Sequence, residues 1–184
     1  SDASRFSAYV SATGSAGTIA AGDFLRTLHP HIQVVASEAL QCPTLLRNGF
    51  GGHRIEGIGD KHVPWIHNVR NTNVVTAIDD EHTMRLLRLF NEKEGKEYLV
   101  SKGVDPILVD KLYLLGISSI GNLLSAIKTA KNFEYDKDDV IFSVATDSAE
   151  MYQSRLEEQR FEKGAYNQMQ AALDYEGALK EQST

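Results

Sequence analysis

The sequence predicts an α/β protein, a three-layer αβα arrangement whose mainly parallel sheet is covered by helices on both faces. Three observations carry this expectation. The chain opens on a short apolar run, a small-residue turn and a helical stripe, the order of a βα unit. Further β-branched runs then alternate with helix-period segments, the pattern of parallel strands joined by crossover helices. The composition is that of an ordinary globular chain, with 184 residues, 42% hydrophobic and 24% charged, enough to bury a real core.

The elements follow in order. Phe6 to Ala12 reads as a buried strand, and Thr13 to Thr18 as the turn that leads it into a helix from Ile19 to Leu25. Pro30 closes that helix region, because proline cannot continue it. His31 to Ser37 is a second strand, rich in β-branched residues. Gln41 to His67 is loop-like and punctuated by five glycines, from Gly49 to Gly59. Asn73 to Ile78 makes a third strand. Asp79 and Asp80 then suit a helix N-terminus, where a carboxylate meets the positive end of the macrodipole. Met84, Leu86, Leu87, Leu89 and Phe90 form the apolar stripe of that helix, which stops near Gly95. Short helices broken at Gly103 and Pro106 lead to a long one over Ile120 to Lys131. Asp139 to Thr146 is the fourth strand. The polar stretch from Met151 to Lys180 reads as helix interrupted near Gly164. Residues 1–156 are expected to form one α/β domain and 157–184 a helical extension.

The charge balance excludes several classes. There are 19 Lys+Arg against 25 Asp+Glu, a formal charge of -6, which argues against a nucleic-acid partner needing a basic face. No apolar run approaches the ~18 residues of a membrane span, and no basic-then-apolar leader opens the chain. With Cys42 the single cysteine, no intrachain disulfide can form. A reducing, cytoplasmic setting is the expectation.

Four segments carry candidate chemistry. In Gly14-Ser15-Ala16-Gly17-Thr18, successive backbone N–H groups between strand and helix can converge on an anion such as a phosphate, with the hydroxyls of Ser15 and Thr18 as further donors. The same small residues also suit mere close packing of helix on strand. The turn is neither a Walker loop nor the dinucleotide fingerprint. Thr146-Asp147-Ser148-Ala149-Glu150 lies at a strand's carboxyl end, where open α/β sheets place ligands. There Ser148 bonds a heteroaromatic nitrogen, or Asp147 or Ser148 caps the helix that follows. Gly57-Ile58-Gly59 permits close backbone approach, and Gly116-Ile117-Ser118-Ser119 is a glycine-serine turn before a helix. The six histidines have no metal-ligand spacing and read as solvated or structural, and Cys42 reads as a buried small hydrophobe.

Taken together and in order, these blocks resemble the C-terminal half of a cysteine-synthase-type, fold-type II pyridoxal phosphate enzyme, the superfamily that includes tryptophan synthase β. The similarity runs from about Phe6 to Leu156. Gly14 to Thr18 resembles the family's G-T-G-G-T phosphate loop. Val34 to Glu38 resembles the next strand, and Ile55-Glu56-Gly57-Ile58-Gly59 the I-x-G-I-G loop. Gly116 to Ser119 resembles the G-I-S-S turn, and Thr146 to Glu150 the P-D-S-G-E-like segment.

The resemblance implies pyridoxal 5'-phosphate as cofactor, its phosphate held by Gly14, Ser15, Ala16, Gly17 and Thr18, with Ser148 facing the pyridine nitrogen. A neutral hydroxyl there leaves the nitrogen largely unprotonated and suits β-elimination or β-replacement on a small amino-acid substrate. The implied parent is a lyase or transferase that forms a homo-oligomer, such as a dimer. In this family the Schiff-base lysine lies upstream of the phosphate loop, and only thirteen residues precede Gly14 here. The expectation is therefore that this chain is part of a longer protein and lacks the lysine. Lys102 lies at the wrong place in the order. Ala16 replaces a usual glycine, Thr146 a common proline, and Lys96 to Lys111 resembles an insertion. One other reading stays open, a non-catalytic phosphate-binding regulatory or scaffold module. A Rossmann-like nucleotide-binding domain is disfavoured, because Glu38 sits in the right region but without the matching glycine fingerprint.

Overall fold

A computed structural model describes residues 4–181. The elements are β1 (Arg5–Ala12), α1 (Ala21–Leu28), β2 (Gln33–Ala39), α2 (Thr44–Arg47), β3 (Val74–Ile78), α3 (Asp80–Asn91), α4 (Lys93–Ser101), α5 (Pro106–Val109), α6 (Ile117–Asn132), β4 (Asp139–Ser143), α7 (Gln153–Lys163) and α8 (Gln168–Asp174). By its internal contacts the chain divides into two units. One holds the residues up to Asp80 with Gly121–Val144, the other Glu81–Ile120 with the residues from Ala145 onward.

The first unit is built on a four-stranded sheet of order β3-β2-β1-β4, all pairs parallel. Registers such as Tyr9 beside Val34 and Ala36 beside Val75 line one face with apolar side chains. Tyr9, Val34 and Ala36 pack there with Ile19 and Ile32, and Leu25 of α1 closes over them. Gly22 lets α1 approach the sheet, since a Cβ at that position would stand 2.8 Å from Val34 Cγ1. On the opposite face Thr76 shares a hydrogen bond with Ser125 of α6, and Lys128 of α6 donates to the Ala77 carbonyl at 2.9 Å. Helices therefore cover both faces, as the alternation of elements predicts.

Several boundaries differ from the sequence reading. β2 lies two residues later than expected, at Gln33–Ala39, α3 ends at Asn91 rather than near Gly95, and three further differences have a visible local cause. The helix expected from Ile19 begins at Ala21, because residues 17–20 form a tighter turn in which Ala21 N–H bonds the Thr18 carbonyl and Gly22 N–H that of Ile19. β4 ends at Ser143, where pairing with β1 stops at Val10. α6 starts three residues early, at Ile117, directly after Gly116.

In the second unit, α3 is buried nearly all round rather than along one stripe, with Leu86, Leu87, Leu89 and Phe90 almost inaccessible and Arg88 only 3% exposed. Each fully buried leucine contributes about 2 kcal/mol. Arg88 is accommodated by the carbonyls of Gln159 and Gly164 and by the Tyr166 ring, whose centroid lies 4.8 Å from the guanidinium carbon. Gly164, at φ 76°, separates α7 from α8. Asp105 caps α5 by accepting from Ile107 N–H, with Pro106 at the first helical position. No helix among the described residues is long and apolar enough to cross a membrane.

Candidate functional site

The turn after β1 occupies the position at which the strand order reverses. Connections from β1 to β2 to β3 step one way across the sheet, and β4 lies on the other side of β1. The carboxyl end of β1 is thus a topological switch point, the place where open parallel sheets bind ligands. Thr13 is held by its N–H on the Ser37 carbonyl. Beyond it, the backbone N–H groups of Gly14, Ser15, Ala16, Gly17 and Thr18 donate to no protein acceptor among the described residues. Gly17, Ser15 and Thr18 are exposed, whereas Ala16 is buried. Ala16 adopts φ 65°, the left-handed conformation that glycine enters without strain. The Tyr9 hydroxyl donates to the Thr18 carbonyl at 2.8 Å and pins the far end of the turn. The result is a run of unengaged amides before the first turn of α1, where partial positive charge accumulates. That donor set fits a phosphate.

The glycine loop closes against this turn. Gly59 N–H donates to the Thr13 carbonyl at 2.7 Å, and the free side of Gly14 faces Gly59 and Ile58. Gly57 and Gly59 have φ of 81° and 86°, and a Cβ on Gly59 would collide with the His53 ring. The structure thus brings Gly14 and the Gly57-Ile58-Gly59 loop together. A cavity of about 10 Å³, the size of one water, lies beside them between Thr13, Glu38, Cys42 and Asp60. Glu38 is not a ribose-binding acid: both of its carboxylate oxygens accept from the N–H groups of Leu45 and Leu46 at 2.9 Å, capping α2. That engagement adds to the missing glycine fingerprint as a reason against a Rossmann-like reading. Cys42 is buried beside Thr44, in line with its reading as a small hydrophobe. His67 is buried, bonded to Thr72, and held below the usual imidazole pKa by desolvation.

In the second unit, the glycine-serine turn and the Ser148 segment meet. Gly116 N–H donates to the Asp147 carbonyl at 3.0 Å, and a Cβ on Gly116 would strike the Asp147 carboxylate. Ser118 and Thr146 share a hydrogen bond of 3.2 Å, and the Tyr152 hydroxyl donates to Asp147 at 2.5 Å. Ser148 precedes a short 3-10 turn (Ala149–Tyr152) but makes no side-chain capping bond, and its hydroxyl meets only Glu150 Oε2 at 3.3 Å. The capping alternative for Ser148 is therefore not realised.

Two lysines stand out. Lys102 sits exposed at the end of α4 over the Tyr98 ring, and its contact with Tyr98 raises its pKa, the opposite of what a nucleophilic amine requires. Lys128, which the sequence does not single out, is held below the usual lysine pKa by desolvation, but its ammonium is committed to the Ala77 carbonyl. Among the described residues no cluster of His, Cys, Asp or Glu could hold a metal ion.

No family model matches the chain. Among curated proteins it is 29% identical to cysteine synthase B of Campylobacter jejuni over 147 residues, covering 79% of this chain and 42% of that protein. It is also 29% identical to a probable cysteine synthase of Bacillus subtilis over 148 residues, again covering 42% of the relative. The chain thus spans about two fifths of the length of the curated relatives it matches. Among solved structures, cysteine synthase of Entamoeba histolytica superposes with a TM-score of 0.68 at 20% identity, over 96% of this chain and 46% of that one. A hydrogen sulfide-producing enzyme of Fusobacterium nucleatum gives 0.65 at 22%, over 93% and 45%. In sequence the chain is similar to cysteine synthases, and its fold is that of the tryptophan synthase β-like pyridoxal phosphate enzymes, in each case across part of those proteins' length.

Proposed function

We propose that this chain supplies the phosphate cradle of a pyridoxal-phosphate-dependent lyase or transferase that carries out β-elimination or β-replacement on a small amino acid such as serine, cysteine or O-acetylserine. The observation that carries the reading is the run of five unengaged backbone amides from Gly14 to Thr18 at the sheet's switch point. In this reading those amides bind the phosphate dianion, the hydroxyls of Ser15 and Thr18 add donors, and the Tyr9–Thr18 bond keeps the turn from relaxing. The Gly57-Ile58-Gly59 loop, tied to Thr13, borders the turn on the Gly14 side. Ser148 is assigned the pyridine nitrogen, to which its hydroxyl offers a proton without giving it up. When bound, the cofactor supplies an electron sink for the carbanion formed at the substrate's α-carbon. No lysine of this chain is assigned the covalent role, which the family resemblance places upstream. Self-association belongs to the same reading and is supported by the exposed Phe142, Val140 and Trp65. Sedimentation velocity showing a monomer at every concentration would refute that part.

The phosphate assignment is tested by phosphorus NMR titration with pyridoxine 5'-phosphate, which lacks the aldehyde and so cannot react with surface lysines. A saturable shift is expected for the native chain. Gly17→Asp sets a carboxylate among the amides and weakens binding on the order of ten-fold or more. The fold should survive, because a Cβ on Gly17 meets only Ser15 Oγ, at 3.9 Å. A native chain with no saturable shift, or a variant that binds equally well, defeats the assignment. In the complete enzyme, Ser148→Asp should slow turnover by about 10²-fold, the scale of one misplaced electrostatic contact at a reacting centre.

A further inference from the structure

The second unit holds a polar cavity of about 220 Å³, walled by α3 on one side and by α7 and α8 on the other. That volume exceeds one water's share several-fold. In and just behind its walls lie ionic pairs that do not quite close, Arg160 and Glu92 standing outside the lining itself. Arg85 Nε bonds Asp174 at 2.7 Å, and Lys163 pairs with Glu81. Arg160 takes Glu92 at 2.9 Å, leaving Arg88 to share the same Glu92 at 3.6 Å. Four cations thus divide three carboxylates, and Glu157, the further acid acting on Arg160, is exposed and screened by water. Asp174 is already engaged by three donors, Arg85, Gln170 and Tyr166.

Besides Arg88 Nε, which is buried and has only Glu92 at 3.6 Å, two groups at the wall are left open. Arg85 spends Nε on Asp174 and Nη2 on the Leu173 carbonyl, so its Nη1 has no protein acceptor among the described residues. Gln159 is only 4% exposed, and its Oε1 is buried with no donor. A buried amide left in that condition opposes folding, so its presence on the wall of a cavity points to an occupant. The occupant must bring negative charge to the cationic excess and a donor to Gln159.

We propose that this cavity binds a small organic carboxylate carrying a hydrogen-bond donor of its own, the chemistry of a hydroxy acid or an amino acid. The carboxylate sits against Arg85 and Lys163, and the hydroxyl or ammonium donates to Gln159 Oε1. The inference does not rest on the phosphate turn.

The test is nitrogen-15 NMR of the whole chain, following the side-chain amide of Gln159 and the Nε groups of Arg85 and Arg88 during titration with sodium L-lactate. Acetate and inorganic phosphate serve as comparisons. Saturable shifts with lactate are expected, with acetate binding about ten-fold weaker for want of the donor. Gln159→Leu should abolish the preference for lactate over acetate and raise the Tm, since it removes a buried unpaired amide. Lys163→Met, at the exposed rim, should weaken both acids. Absence of saturable shifts in the native chain, equal affinity for lactate and acetate, or a preference that survives Gln159→Leu each overturns the proposal. Pyridoxine 5'-phosphate added to the same sample reports on the phosphate turn separately.

Discussion

Ala16 and Gly116 show how single positions carry the geometry of the two candidate segments. At Ala16 the backbone is left-handed and the methyl group is buried in the core beside Ile19. Ala16→Gly relieves backbone strain but adds unfolded-state freedom and loses a buried methyl, so the stability should stay within about 1 kcal/mol. Ala16→Val adds β-branching where it is least tolerated, and urea unfolding should show a loss of about 2 kcal/mol. Gly116→Ala forces the Asp147 carboxylate aside and should cost about 1–3 kcal/mol by the same measurement. The small-residue turn was legible in the sequence because strand, glycine-rich turn and helix are contiguous. The engagement of Glu38 with α2 was not, since it depends on a loop returning beneath β2. Nor was Gln159, whose burial comes from residues far away in the chain.

At the level of elements, the start of β4 is tied to β1 by a network centred on Asp139. Its carboxyl pKa is lowered to about 2, chiefly by the Ser7 hydroxyl at 2.5 Å, with the Asp136 backbone amide and the Arg5 guanidinium adding to the effect. Because the folded value lies below the unfolded one, the stabilisation is complete above the ordinary carboxylate pKa of ~3.9. It is lost as the pH falls toward 2. Ser7→Ala should move the acid transition followed by circular dichroism to higher pH, and an unchanged profile would show that the hydroxyl is not the main cause. Strands and helices were readable here from β-branched runs and apolar periodicity, and their ends were less so. β4 stops pairing at Ser143, opposite Val10, although β1 runs on to Ala12 and Val144 keeps strand character, so its end is not written in its own residues.

Across the whole molecule, the sheet's order determines which strands are protected. β1 and β2 have a hydrogen-bonded neighbour on both sides, whereas β4 has one. Amide exchange should therefore be slowest in Ala8 to Val10 and Val35 to Ser37, which are paired on both sides, and measurably faster in β4. Equal protection across all four strands would contradict the described order. The opening strand also pairs with a segment 134 residues later, Arg5 with Asp139. Synthesised well before that segment, β1 must wait for some 134 further residues before its second flank is covered. Translation that stalls before that point leaves a half-dressed β1 for chaperones to guard, and loop-closure entropy makes its final zipping a slow event.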